Sequence, residues 1–203
     1  MTRLPSLFAI SAALLLLILL GSMGGAGQLQ DRAAILQLAD WRAINPRGTG
    51  LVILLTHAGG APFLLTVAGL GVLTLWVRQQ RAKAVLLALT VLGGRLGVEL
   101  IKLAVDRPRP SFDAHPVVVF SQSFPSGHAA NSTVTYLALA LFAAPARWRR
   151  PATFGALLLA LAIGATRPIL GVHWPSDVLG GWIYGLLVIA VAAWLSRRRQ
   201  SAA

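Results

Sequence analysis

Residues 123–132 read SFPSGHAANS, a polar stretch marked by Pro125 and Gly127, and the apolar run TVTYLALALF (133–142) follows at once. A polar break opening directly into such a run is what a helix entering lipid looks like, and the alternation recurs along the chain. Crossing a bilayer takes roughly 20 mainly apolar residues. Six segments qualify: about Leu4–Met23, Leu51–Val77, Ala84–Lys102, Gly127–Ala144, Ala152–Thr166 and Val178–Leu195. With 56% apolar and 12% charged residues among 203, the composition excludes an ordinary soluble protein. The expected fold is therefore all-α, a polytopic membrane bundle of six transmembrane helices. One domain over 1–203 is expected, with no internal repeat, low-complexity tract or linker.

The first segment has a second reading. Arg3, the Leu-rich stretch Leu7–Leu20 and the small residues of GSMGGAGQ also fit a secretory signal peptide, which leaves the downstream topology unchanged. The net charge of +12 raises nucleic acid as a partner, but its distribution argues for a membrane. Arg3, then Arg78, Arg81 and Lys83, then Arg147, Arg149 and Arg150, then Arg197–Arg199 in the tail 197–203, all fall on one side of a six-helix topology. The positive-inside rule makes that side cytoplasmic, with both termini, and anionic lipid headgroups become the expected partners. Zero cysteines exclude disulfides, thiolate chemistry and Cys-ligated metals.

The other side carries segment 28–49, Arg107–Phe124 and Arg167–Ser176. The first of these contains LQDRAAILQLADWRAIN, where Ile35, Leu38 and Trp41 can share a helical face, so an interfacial helix or an ordinary loop helix is expected. Three polar clusters also fall here. In KLAVDRPRP (Lys102–Pro110), Lys102, Arg107 and Arg109 are opposed locally by Asp106 alone, and Pro108 and Pro110 stop the helix. Cations beside lipid are costly unless paired, so a bound anion suits them, although snorkelling at a helix end also places single cations there. Upstream, Arg95 and Glu99 have the spacing of an i,i+4 ion pair.

The second cluster is the opening stretch. Ser126 or a neighbour is expected to cap the fourth helix, whose free N–H groups and dipole make an anion site. Gly127 lets an anion approach without a Cβ in the way, and His128 in the first turn can give or take a proton. In the third cluster, ATRPILGVHWPSDVLGG (Ala165–Gly181), Pro168 is expected to end the fifth helix and Pro175 to begin the sixth. Asp177 in that first turn can reach back to His173, as a first-turn acid does in a capping box, or simply cap the helix. Each cluster alone has an ordinary structural explanation. Together they place cations, helix N–H donors, two histidines and one acid on one face, a set suited to phosphoryl transfer. Which histidine attacks is not decided by these residues. His57 and His115 are read as incidental polar positions.

Lys102–x6–Arg109–Pro110, Pro125–Ser126–Gly127–His128 and Thr166–Arg167–x5–His173–x3–Asp177 together closely resemble the three-part signature of the type-2 phosphatidic acid phosphatase superfamily. LTHAGGAPFLL (Leu55–Leu65) is similar more loosely. The resemblance implies dephosphorylation of a membrane lipid phosphate, such as undecaprenyl diphosphate, phosphatidylglycerophosphate or phosphatidate, without metal or other cofactor. It places the site on the extracytoplasmic face of the cytoplasmic membrane. By position it implies His173 as a nucleophile forming phosphohistidine, Asp177 as its orienting acid and His128 as general acid. Lys102, Arg109, Ser126, Gly127 and Arg167 would bind phosphate. The third motif commonly begins Ser-Arg, whereas Thr166-Arg167-Pro168 stands here, which bears on where Arg167 sits. A phosphotransferase with a non-water acceptor and a non-enzymatic lipid transporter are the alternatives. A vanadium-dependent haloperoxidase shares similar motifs but not the apolar segments.

Overall fold

The computed structural model describes residues 26–112 and 114–201, together with a few helical positions between residues 9 and 18. The expected span Leu4–Met23 and its signal-peptide alternative lie outside the described residues apart from those positions. The described chain is helical, without strands: α1 (Ala26–Ile44), α2 (Pro46–His57), α3 (Ala61–Val77), α4 (Arg81–Val105), α5 (Gly127–Ala138), α6 (Arg149–Ile169) and α7 (Pro175–Ser201). A π-helical segment, Leu139–Ala143, continues α5, and a 3-10 turn, Ala146–Trp148, leads into α6.

Among these, α4, α6 with its leading turn, and α7 are long and apolar enough to cross a membrane, and α2 with α3 forms a fourth candidate bent by 41°. Leu51–Val77, expected as one helix, is thus broken. Leu55 and Thr56 carbonyls close the end of α2, and Gly60 and Pro62 open α3 with extended backbone and a ring that lacks N–H. The segment expected as Gly127–Ala144 comprises 12 α-helical and 5 π-helical residues. It is the centre of the bundle, buried from Ala129 to Thr135. A Cβ on Gly185 would lie 2.6 Å from Thr133 Cβ, and one on Gly181 2.7 Å from the Ser126 carbonyl, so small residues bring α7 against α5 backbone to backbone. Apolar side chains from α3, α4, α5 and α7, including Leu75, Leu87, Val91, Val134 and Ile189, fill the core on the far side of the site.

Two helix ends differ from expectation. Asp106, in the left-handed conformation at φ 48°, ends α4 before either proline is reached, its N–H bonding the Lys102 carbonyl. Pro168 does not end its helix but lies inside the last turn of α6, where its missing N–H costs a single bond, and Gly171 at φ 72° makes the turn that follows. The segment 28–49 does contain a helix, α1. Ile35 is fully buried while Trp41 is 38% exposed, so its inward face differs from the one expected. That inward face carries Asp31 and Arg42, and Arg42 Nη1 donates to the Ile169 carbonyl at 2.6 Å.

Candidate active site

The chain directions decide where the polar clusters go. The C-terminal ends of α4 and α6 meet the N-terminal ends of α5 and α7, which brings Lys102, Arg109, Gly127, His128, Arg167 and His173 around one cavity of about 310 Å³. Ser126, fully buried, precedes Gly127 at its edge, and Asp177 stands behind His173.

At the start of α7, Trp174 is the residue before the helix, and Asp177 Oδ2 accepts its backbone N–H at 2.8 Å, the capping-box geometry expected. The same Oδ2 lies 3.4 Å from His173 Nδ1 and accepts the Ser123 hydroxyl. On the far side of the ring, Arg109 Nη1 lies 3.0 Å from His173 Nε2. A guanidinium only donates, so Nε2 is the acceptor nitrogen and the ring proton sits on Nδ1, towards the carboxylate. Burial foremost, then the positive charges of Arg109, Arg167 and Lys102, hold the His173 pKa well below its ordinary value, which keeps Nε2 unprotonated with its lone pair available.

Arg109 is fixed by the loop that precedes SFPSGH. Its Nε donates to the Ser121 carbonyl at 2.7 Å, and its Nη1 to the Val172 carbonyl at 2.6 Å. Lys102 Nζ donates to Ser121 Oγ at 2.6 Å. Arg167, buried despite Pro168, donates through Nη1 to Thr56 Oγ1 at 2.7 Å, and Thr166 Oγ1 lies 2.9 Å from the same hydroxyl. The threonine of the third motif therefore keeps a hydroxyl working in the site's support, and α2 contributes through Thr56.

Ser126 does stand at the N-cap of α5, but its hydroxyl makes no capping bond. Its backbone instead bridges helices, with N–H to the Asp177 carbonyl at 2.9 Å. Among the described residues, Ser126 Oγ, Arg167 Nε and Asn131 Oδ1 are buried without a partner. Two of these orphans are donors in the expected anion pocket, and an unsatisfied buried polar atom there is what an arriving ligand would satisfy. A Cβ on Gly127 would lie 3.8 Å from Lys102 Nζ, pointing into the space an anion would take.

Several partners in the site carried no readable signal. Arg107, whose cluster is opposed in sequence by Asp106 alone, pairs with distant acids: Nη1 donates to Asp177 Oδ1 at 2.6 Å and Nη2 to Asp31 Oδ2 at 2.9 Å. Asp31 also accepts the Ser176 hydroxyl and its N–H, the latter at 3.0 Å, so α1 is tied to the carboxylate behind His173. Arg95 and Glu99 form no ion pair among the described residues; both point to the cavity, one helical face shared with Lys102 drawing them there. Neither His57 nor His115 lines the cavity, and His115 Nε2 lies 2.7 Å from the Pro110 carbonyl.

Comparison with known proteins shows the family and the fold. The PAP2 superfamily model matches residues 83–201. The chain is 30% identical over 188 residues to phosphatidylglycerophosphatase B of Bacillus subtilis, covering 90% of this chain and 89% of that protein. It is 25% identical over 177 residues to an undecaprenyl-diphosphatase of Sulfolobus acidocaldarius, covering 85% and 82%. The crystal structure of the transmembrane PAP2-type phosphatidylglycerolphosphate phosphatase from Bacillus subtilis superposes with a TM-score of 0.85 at 28% identity, over 98% of each chain. Three motifs gathered at one cavity, a match across most of the chain and a shared fold lead to one assignment: the chain is a member of the PAP2 superfamily.

Proposed function

We propose that this chain is a membrane lipid phosphatase that hydrolyses a lipid phosphomonoester or diphosphate through a phosphohistidine on His173. The observation that carries this reading is the His173 ring itself, with Nδ1–H towards Asp177 and the Nε2 lone pair towards Arg109, in a cavity also lined by Lys102 and Arg167. A phosphate entering the cavity takes over the Arg109 Nη1–H that now faces Nε2, which frees the lone pair for attack at phosphorus. Lys102, Arg109, Arg167, Ser126 and the Gly127 N–H neutralise the charge on the equatorial oxygens. As the N–P bond forms and the P–O bond breaks, His128 gives its proton to the leaving oxygen, the bound dianion having held that proton in place. Water then attacks phosphorus, His128 takes its proton, and phosphate leaves Nε2.

The relatives named as phosphatidylglycerophosphatase and undecaprenyl-diphosphatase support a lipid phosphate as substrate. In this reading one domain of six spans lies in the cytoplasmic membrane, with the site on the extracytoplasmic face. The basic ends of the helices opposite the site (Arg81, Arg147, Arg149, Arg150, Arg197) support that orientation. The test is phosphate release from purified lipid phosphates in detergent with EDTA present. His173→Ala should abolish release while leaving the thermal melt intact. Retained turnover in that variant, or loss of wild-type activity in EDTA, would contradict the mechanism.

A further inference from the structure

The loop that fixes Arg109 also sets a hydroxyl against two cations of the phosphate cradle. Ser121 Oγ lies 2.6 Å from Lys102 Nζ and 3.5 Å from Arg109 Nη2, and Ser121 lines the cavity together with both. Its carbonyl is used separately, by Arg109 Nε. Position 121 falls between the first two signature motifs and belongs to neither. We propose that Ser121 is a further phosphate-binding residue, whose hydroxyl donates to the phosphoryl oxygen that Lys102 and Arg109 hold. This deepens the phosphatase reading and rests on it.

Donor and acceptor chemistry carries the assignment. An ammonium and a guanidinium have no lone pair to offer, so both contacts at Ser121 Oγ use that oxygen as the acceptor. Among the described residues nothing accepts the Ser121 hydroxyl proton, which makes it a donor in reserve. The hydroxyl two residues on is committed otherwise: Ser123 donates to Asp177 Oδ2, behind the nucleophile. The same two cations mark where the anion goes. Lys102 Nζ lies 3.8 Å from where a Cβ on Gly127 would stand, and Arg109 Nη1 lies 3.0 Å from His173 Nε2. A phosphoryl oxygen bonded by Lys102 and Arg109 therefore comes beside the hydroxyl that already touches both. Accepting from a cation also polarises the O–H bond, so Ser121 donates to an anion more strongly than an isolated serine does.

The experiment uses the full chain in detergent. Activity is phosphate released from phosphatidate, and binding is a calorimetric titration with orthovanadate, a phosphate analogue that needs no turnover. Ser121→Ala should melt close to wild type, since Ser121 is a half-buried loop residue. It should lose about ten- to a hundredfold in kcat/KM and in vanadate affinity, the range for one hydrogen bond to a charged group. Ser121→Thr keeps the hydroxyl and should restore most of both. A residue that merely supports Lys102 is separated by the Lys102→Met chain. There Ser121→Ala should still weaken vanadate binding by about three- to tenfold, as for a hydrogen bond no longer polarised by the ammonium. An effect that vanishes without Lys102 overturns the proposal, because the hydroxyl then only positions the ammonium. Undiminished kcat/KM in Ser121→Ala, with the wild type releasing phosphate, overturns it as well and leaves the phosphatase reading standing. No release by the wild type from phosphatidate, phosphatidylglycerophosphate or undecaprenyl diphosphate overturns the phosphatase reading and the Ser121 assignment with it.

Discussion

Replacing Arg107 by methionine removes one guanidinium and strands two carboxylates. Asp177 is 0% exposed and Asp31 5%, and Arg107 bonds them at 2.6 and 2.9 Å, with a third bond to Ser176 Oγ at 2.8 Å. Methionine keeps an unbranched stem where Arg107 packs over the Trp174 ring, with Cζ 5.5 Å from the centroid, so the loss is mainly electrostatic. Leaving a buried charge without its partner costs about 3–5 kcal/mol. For a chain of this length that corresponds to a melting temperature lower by roughly 10 °C. The same carboxylate lies 3.4 Å from His173 Nδ1, so in the proposed mechanism kcat should also fall, by at most about the 10⁴ that losing the acid itself costs in a comparable triad. KM should change little, because Arg107 does not line the catalytic cavity. The assay pairs a thermal melt in detergent with phosphate release. Adding Asp31→Asn to the Arg107→Met chain removes one stranded charge and should recover part of the melting temperature. A variant that melts like wild type with undiminished kcat would refute the argument; a change in KM alone would mean that Arg107 touches substrate instead.

Gly127→Ala should fold with a stability within about 1 kcal/mol of wild type, because no atom lies nearer than 3.8 Å to the new Cβ, yet lose about tenfold or more in kcat/KM. Undiminished activity would remove the α5 N-terminus from the phosphate site. Gly185→Ala should lower stability by about 1–3 kcal/mol, since its Cβ would lie 2.6 Å from Thr133 Cβ, and an unchanged melt would contradict the close α5–α7 contact. His173 has a folded-state pKa below its unfolded value, so the unfolded chain binds the extra proton: stability is full above about pH 6.5 and falls as the pH drops towards the folded pKa, by up to about 1.4 kcal/mol per pH unit. Denaturation followed from pH 7 to 5 should show a shallower fall in His173→Asn, and equal slopes would place the imidazole in water.

What the amino-acid order determined by itself were local matters: apolar length, helix starts and the polar residues at them. Lipid enforces internal backbone hydrogen bonding, so long apolar runs become helices whatever surrounds them. Pro175 and Asp177 set the start of α7 through contacts three residues apart, and the capping-box geometry was legible for that reason. The motif residues Lys102, Arg109, Gly127, His128, Arg167 and His173 were legible as one set because their spacings match a family signature, and they do share a cavity.

The tertiary structure decided the partners. Arg107 has an acid beside it in sequence, Asp106, yet it pairs with Asp31 and Asp177, because Asp106 turns left-handed and ends α4 while α1 brings Asp31 from 76 residues away. Arg95 and Glu99 have ion-pair spacing, yet both face a cavity that exists only once α4 packs near α5 and α6. The burial of Asn131 is equally non-local: it depends on which helix lies opposite, and a single strand of sequence does not encode that in neighbouring residues. SFPSGHAANS read alone is a cap and a histidine. Packed against α4 and α7, it supplies an unpartnered hydroxyl and an open helix N-terminus beside Lys102.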